Sequence, residues 1–448
     1  MMLSRLICKI GCILIFVNGN SQDLESRIDS LISANITDNG PGIAVVVTKK
    51  GEKLYHKAFG KADIELDVDM KPDHVFQIGS ITKQFTACAI LKLIEGGKLS
   101  LSDDIRDFLP NYPTQGQKIT IEHLLNHTSG IKDFTELPEW NEELRRKDFQ
   151  PLELINTFKR HHLNFMPGER FEYNNTGYII LGFIIEQLTD TTYAAHIEET
   201  IFKPLGMSDS YVGSMEKIIP GRASGYSKDG DVMSNAAFIS ITQPYSAGSI
   251  LSTVGDLATW YRAVFSNKVI SENSLEKALS TNRTAGGFSN YGYGWLISSK
   301  FFRPTVEHGG SFHGFQAKDL YFPEDELFVA VFSNCDCFSP DELTENIAAL
   351  ALGIFDDFRE IKLSNSELKK YVGTYKISTG LIVDVSLERR QLWMKASGRG
   401  KIPIYPQPNN RFFLKVADVQ LEFMEENGEF NSLILYQFGG KTVAKRVD

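Results

Sequence analysis

Three short constellations carry side chains that can do chemistry. The first is Ser80-Ile81-Thr82-Lys83, a hydroxyl and an amine three residues apart. On a helix that spacing puts both on one face, a turn apart. Ser-x-x-Lys recurs at Ser129, Ser214, Ser274 and Ser366, so the pattern alone selects nothing. Ser80 differs in its setting. It follows Gly79 and opens an apolar-periodic stretch (Ile81, Phe85, Cys88, Leu91) that stops at Gly96-Gly97. A serine there stands at the positive end of a helix dipole, and a serine hydroxyl needs a nearby base to become a good nucleophile. The same residues also read as a helix cap followed by a solvated lysine.

The second constellation is Tyr173-Asn174-Asn175, the one Tyr-x-Asn among sixteen tyrosines. It follows Pro167-Gly168-Glu169 and precedes a helical stretch from Tyr178 to Leu188, so it sits on a loop at a helix start, where functional side chains often project. A loop tyrosine with its ring in the core is the plainer alternative. The third is His308-Gly309-Gly310-Ser311 at the end of a predicted strand. Its glycines let a ligand or another backbone approach, and they can aim the Ser311 N–H at a bound oxygen. A simple strand-end turn would look the same.

Two other patterns fall short. His123 and His127 have metal-ligand spacing on a predicted helix, but Leu124 stands where a zincin needs glutamate, and no third ligand is evident. Gly309-Gly310-Ser311-Phe312-His313 misses the Gly-x-Ser-x-Gly elbow at its last position. No metal and no cofactor are expected.

The elements that must position these residues read as follows. Leu24 to Ile32 has helical spacing, and Gly42 to Gly60 reads as a hairpin turning at Lys49-Lys50-Gly51-Glu52. Residues 76–280 are mostly helical in pattern. Strands return at 294–297, 306–309, 316–322 and 327–333, and a helix is predicted from Asp341 to Phe358. Strands, helices, then strands and a helix describe an α+β domain with a helical insertion. A polar joint, Arg359 to Glu367, leads to short strand-like runs punctuated by turns such as Glu426-Asn427-Gly428, which predict a small β-domain over 360–448.

Residues 1–21 read as a leader: Arg5 and Lys9, an apolar run from Ile10 to Val17, then small residues at Gly19 and Ser21. A periplasmic or extracellular location follows, with no stable membrane span once the leader is removed, because a span needs about 20 apolar residues. Removal of Cys8 and Cys12 leaves Cys88, Cys335 and Cys337, an odd set that predicts no disulfide framework. The net charge is −9 in a chain of 448 residues, which argues against a nucleic-acid partner.

Taken together, the three constellations resemble the serine β-lactamase and penicillin-binding protein superfamily. The nearest branch holds class C β-lactamases, DD-peptidases, D-aminopeptidases and related esterases. Further blocks extend the resemblance over residues 24–358: Leu124 to Gly130, Tyr173 through Gly206-Met207, Ala247-Gly248-Ser249, Ser252-Thr253, Gly255-Asp256-Leu257, and His308 through Gly314-Phe315. The tail from Tyr371-Val372-Gly373 is similar to a lipocalin-like β-domain appended to some members. The fold implied is an antiparallel sheet flanked by helices, with a helical subdomain, followed by a small barrel-like domain (22–359 and 360–448).

That resemblance implies acyl transfer through an acyl-serine on Ser80, with Lys83 and Tyr173 as the base pair. A lysine cation beside the phenol would favour phenolate. Asn175 would orient a substrate amide, His308 would face the leaving group or a carboxylate, and Ser80 and Ser311, the latter reached past Gly310, would supply oxyanion N–H groups. Phe134, Tyr245 and Phe312 are expected to line the pocket. Small molecules or peptides, cell-wall fragments among them, are the expected substrates. One departure matters: class C β-lactamases and DD-peptidases usually carry Lys-Thr-Gly where this chain has His308-Gly309-Gly310, and histidine is the form often met in the family's aminopeptidases and esterases. A histidine is mostly neutral at pH 7 and grips a carboxylate less strongly. An esterase, D-aminopeptidase or DD-carboxypeptidase is therefore favoured over a class C β-lactamase, and a catalytically silent wall-binding module is the alternative from another class.

Overall fold

The computed structural model describes residues 17–355, 360–378, 380–417, 419–437 and 440–447. The predicted leader falls mostly outside them. No helix in the described residues is long and apolar enough to cross a membrane.

A six-stranded antiparallel sheet organises the larger part. Its strands are β1 (Ile43–Lys49), β2 (Glu52–Phe59), β3 (Leu296–Lys300), β4 (Arg303–Phe312), β5 (Phe315–Phe322) and β6 (Leu327–Ser333), in the order β3-β4-β5-β6-β1-β2. β1 reads as an unbroken apolar run because both of its faces are covered. Ile43, Val45 and Val47 pack with Ile28 and Ile32 of α1 (Val17–Ser33) and with Leu343 and Ile347 near the C-terminal end of the domain. Ala44 and Val46 face the opposite way, into the large core that holds Phe85, Trp260 and Phe332. Successive strand residues point to opposite faces, so a two-sided burial removes the usual alternation.

The short strand Phe76–Gln77 pairs with Ile250–Ser252 and runs into a single 3-10 turn, Gly79–Ile81. From there α2 (Thr82–Glu95) passes through the core, with eleven of its residues buried. α3 (Asn175–Thr189) crosses beside it, and α4 (Val254–Phe265) packs Trp260 on Phe85 with ring centroids 4.1 Å apart. The helix α5 (Asp341–Leu352) ends earlier than its apolar pattern suggests. Gly353 adopts φ 74° there, and the Ile354 N–H turns back to the Ala349 carbonyl, which closes the last turn. The hairpin Tyr226–Asp229 with Val232–Asn235, inside the stretch read as helical, is too polar and exposed to show an apolar pattern.

The tail folds as a closed eight-stranded antiparallel barrel, from Gly373–Ile377 to Gly440–Arg446. First and last strands close it through Tyr375↔Arg446 and Ile377↔Ala444. Its core gathers an aromatic cluster, Tyr371, Tyr375, Phe412, Phe423 and Phe430, among aliphatic side chains such as Val383, Leu392 and Leu421. Asn427 and Gly428 both take positive φ between paired Glu426 and Glu429, the backbone that a two-residue hairpin requires. The barrel docks on the β3–β4 turn. There the Phe302 N–H donates to Gln420 Oε1 at 2.6 Å, and its ring lies under the Arg411 guanidinium and against Tyr436.

The cysteine expectation needs one correction. Cys88 is free and fully buried, but Cys335 and Cys337 form a disulfide. A turn leaving β6 brings their Cα atoms to 5.1 Å, within disulfide reach despite the single intervening residue.

Candidate active site

Lys83 is fully buried and its ammonium has three acceptors. Its Nζ donates to Ser80 Oγ at 3.0 Å, to Asn175 Oδ1 at 2.9 Å and to the Ala247 carbonyl at 2.9 Å. Three donors meet three acceptors, so the amine is held in one geometry. Burial pulls Lys83 down to about 7, against the opposing field of Asp133. Near neutrality about half of it is then a free amine, able to accept a proton.

Tyr173 lies beside this amine, with Lys83 Nζ 4.8 Å from the ring centroid. Its hydroxyl is buried and makes no hydrogen bond of full geometry among the described residues, although the Ser80 side chain is near it. Burial pushes that hydroxyl well above its ordinary value; the nearby Ser80 side chain offsets part of the rise and Asp133 adds to it. The phenolate expected from the sequence is therefore opposed by desolvation, and the lysine becomes the better proton acceptor.

His308 is buried on β4. Its Nδ1 stands 2.6 Å from the Gly309 carbonyl, which can only accept, so Nδ1 carries the proton. Nε2 then accepts from the Tyr291 hydroxyl at 3.0 Å. Burial, and then the Lys83 charge, push His308 down to about 3. It is thus neutral across the ordinary pH range, for a stronger reason than the usual histidine value near 6.5.

The 3-10 turn bearing Ser80 and the end of β4 meet backbone to backbone. Gly79 has φ 51°, and a side chain on it would crowd the Ser311 amide. A side chain at Gly310 would collide with the Ile78 carbonyl and come within 3.3 Å of the Ser80 nitrogen. Only glycines permit this approach, which brings the Ser80 and Ser311 N–H groups together. A cavity of about 230 Å³ opens over them, lined by Ser80, Asn175, Ser311, Phe134, Trp140 and Phe312, among others. Such proximity of hydroxyl, amine, phenol and paired amides suits nucleophilic attack on a carbonyl.

The family model described as Beta-lactamase matches residues 28–353. The chain belongs to the beta-lactamase family. Residues 359–445 match a domain of unknown function, DUF3471. A penicillin-binding protein of Bacillus subtilis (strain 168) is 28% identical over 432 residues, covering 90% of this chain and 94% of that protein. The octameric penicillin-binding protein homologue from Pyrococcus abyssi superposes with TM-score 0.64 at 28% identity, over 95% of this chain and 99% of that one. The D-amino acid amidase from Ochrobactrum anthropi SV3, complexed with L-phenylalanine amide, gives TM-score 0.66 at 26% identity, over 74% and 99%.

Within this family member, the pocket contains Phe134 and Phe312 but not Tyr245. Tyr245 takes φ 38° and turns its ring inward onto Tyr193, with centroids 5.2 Å apart, so that Pro244 faces the cleft instead. His127 is not on a helix with His123. That helix spans Ile121–Leu125, and His127 takes φ 58°, accepting the Asn174 N–H on Nδ1 among the rings of Tyr173, Tyr178 and Tyr291.

Three residues of the site escaped the sequence reading. Asp133 Oδ2 accepts both the N–H and the side-chain amide of Asn175, which holds Asn175 Oδ1 toward Lys83. Its only signal was a position three residues past the Leu124–Gly130 block. Tyr291 caps His308, and buried Asp319 accepts from Tyr261 and Gln84 as well as from β4.

Proposed function

We propose that the protein is an exported serine hydrolase that moves the acyl group of an ester or amide to Ser80 and then to water. The observation that carries this reading is Lys83, buried, depressed to about 7 and 3.0 Å from Ser80 Oγ. In its neutral form it takes the Ser80 proton as Oγ attacks the carbonyl. The developing oxyanion lies between the Ser80 and Ser311 N–H groups, each such donor being worth about 3–4 kcal/mol in comparable sites. The proton that Lys83 has taken then goes to the leaving group by way of the Tyr173 hydroxyl, which gives up its own proton and regains one from Lys83, so that phenol and amine both end as they began. Water repeats the sequence in reverse and regenerates Ser80.

Neutral His308 supplies no permanent cation on β4, which favours ester or amide substrates of the esterase or D-amino-acid amidase kind over penicillins. The leader-like start at Arg5 and Lys9 motivates export. A fluorophosphonate or β-lactam probe followed by intact-mass and peptide mapping tests the assignment: one label on Ser80, absent in Ser80→Ala. A label on Ser311 or Ser129, or ester turnover that survives Ser80→Ala, contradicts it.

A further inference from the structure

The bond between Cys335 and Cys337 spans a single residue, and that residue reaches the acyl pocket: Asp336 lines the cavity over Ser80. Its Oδ2 accepts the Gly314 N–H at 3.0 Å and the Ser227 hydroxyl at 2.7 Å. Gly314, with φ 79°, belongs to the tight turn between β4 and β5, closed by the pair Phe312↔Phe315. Three residues before it stands Ser311, whose N–H lies beside that of Ser80. The same turn carries Phe312 and His313 into the pocket wall. It rests on the Tyr226–Asp229 hairpin backbone to backbone, since a side chain on Gly314 would collide with Gly225. One carboxylate thus ties the end of β4 to that hairpin.

What holds the carboxylate there is local. Asn334 is fully buried, and its side chain accepts the Gly42 N–H and donates to the Ser224 carbonyl. Cys335 is buried as well, whereas Asp336 and Cys337 are exposed. The disulfide returns Cys337 to the anchored Cys335 and so confines the residue between them, whose N–H donates to the Tyr226 carbonyl at 3.1 Å. A ring this short removes less chain entropy than a long disulfide loop. Its effect therefore falls on the placement of Asp336 more than on global stability.

We propose that Asp336 is a positioning residue for the Ser311 turn and that the Cys335–Cys337 bond keeps it in place, so that turnover depends on the oxidation state of this pair. The assignment rests on the serine-hydrolase reading above and adds a control to its oxyanion site. A dithiol reductant opens the bond from the exposed side. Its thiolate bonds to the Cys337 sulfur, and Cys335 leaves as a thiolate that takes up a proton. The reductant's second thiol then displaces Cys337 in the same way. The reductant ends as a disulfide, and the protein gains two electrons and two protons. Asp336, released, no longer fixes the Gly314 N–H, and the Ser311 N–H loses its aim.

The test uses the full-length protein, a small chromogenic ester and dithiothreitol. Alkylation and intact mass count the thiols released, which should be two because Cys88 is buried. Loss of a whole oxyanion donor costs about 10²–10³ in kcat, and misplacing one should cost a fraction of that, about tenfold. Reduction should therefore lower kcat about tenfold, change KM less, and weaken a boronic acid that mimics the tetrahedral intermediate by the same factor as kcat. Melting should hardly move. Asp336→Ala should show the same loss with its disulfide intact, and reduction should then add little, because both act through one contact. Asp336→Asn keeps an acceptor oxygen without the charge and should recover most of the rate lost in Asp336→Ala. Unchanged wild-type kinetics after two thiols are counted, or losses that multiply when Asp336→Ala is reduced, overturn the proposal. So does an Asp336→Asn variant as slow as Asp336→Ala, which would place the effect in the charge. Reduction of the wild type needs no variant to fold. Should Ser80 fail to label and the ester go unhydrolysed, the hydrolase reading fails, and hydrogen exchange over residues 309–316 then decides the positioning role. Faster exchange at Gly314 on reduction supports it, and unchanged exchange overturns it.

Discussion

Asp319 accepts the backbone N–H of His308 at 2.5 Å, directly across the β4–β5 register. The same carboxylate accepts the Tyr261 hydroxyl and the Gln84 side-chain amide, each at 2.8 Å. Gln84 follows Lys83 on α2, so one buried group joins the helix of the nucleophile to the strand of Ser311. Burial raises Asp319 to about 7, although all three hydrogen bonds pull the other way.

Asp319 therefore predicts a pH signature in stability. Its folded value lies above its unfolded value of about 3.9, so the folded state holds the proton more tightly. Its contribution favours folding at low pH and is lost as pH rises from about 4 to about 7. Melting temperatures across that window should show a downward component that Asp319→Asn removes. Asp319→Ala strands three donors and should cost about 3 kcal/mol or more in denaturant titrations.

Lys83 predicts a pH–rate profile. With the free amine as the active form, kcat/KM should climb as pH rises and level off above about 7. Lys83→Arg keeps a cation at every pH and should lose about 10²–10⁴ in rate. A profile flat from pH 5 to 9 would remove Lys83 from the role of base.

Asp133 predicts a shift of that profile. Its field raises Lys83 against burial. Asp133→Asn removes the charge, so the rising limb should move to lower pH. The maximum rate should fall as well, because Asn175 loses the carboxylate that orients it. Movement of the limb to higher pH would contradict the assigned electrostatics.

His308 predicts a missing effect. With an ordinary histidine, carboxylate-bearing substrates would gain as pH dropped through about 6.5. A value near 3 removes that gain, and the relative turnover of acidic and neutral esters should not change through His308 above about pH 4. His308→Lys should raise the rate at which penicillins acylate Ser80. Unchanged penicillin acylation in that variant would show that the family's usual cation position is not reached here.

Much of this was legible before any coordinates. The Ser80–Lys83 spacing, Tyr173 at the start of α3, and the paired glycines of β4 are local patterns whose geometry follows from helix and strand periodicity. Asn427-Gly428 likewise announces its turn. The network partners were not legible. Asp133, Tyr291 and Asp319 are ordinary residues in their own segments and gain meaning only when chain folding sets them against Asn175 and His308. Tyr245 shows the converse: nearness in sequence to a pocket block says nothing about direction, and a positive φ sends its ring into the core. The Cys335–Cys337 bond needed a turn that no apolar pattern marks.

The docking of the barrel on the β3–β4 turn bears on how the protein behaves at high concentration. A six-stranded open sheet has two edges, and unpaired edge backbones recruit other chains. On one edge, β2 carries Lys53 and Lys57, with Lys57 tied to Glu25 and Asp29 of α1, and like charges of this kind discourage pairing. β3, on the other edge, has instead the barrel strand Glu429–Gln437 against it. The appended domain thus shields the sheet on which Ser311 is mounted while standing at the end of β4 away from it, on the order of 25 Å by strand rise. A chain shortened to residue 355 would lay bare Phe302 and the part of β3 that the barrel covers, and its characteristic failure would be self-association rather than loss of chemistry at Ser80.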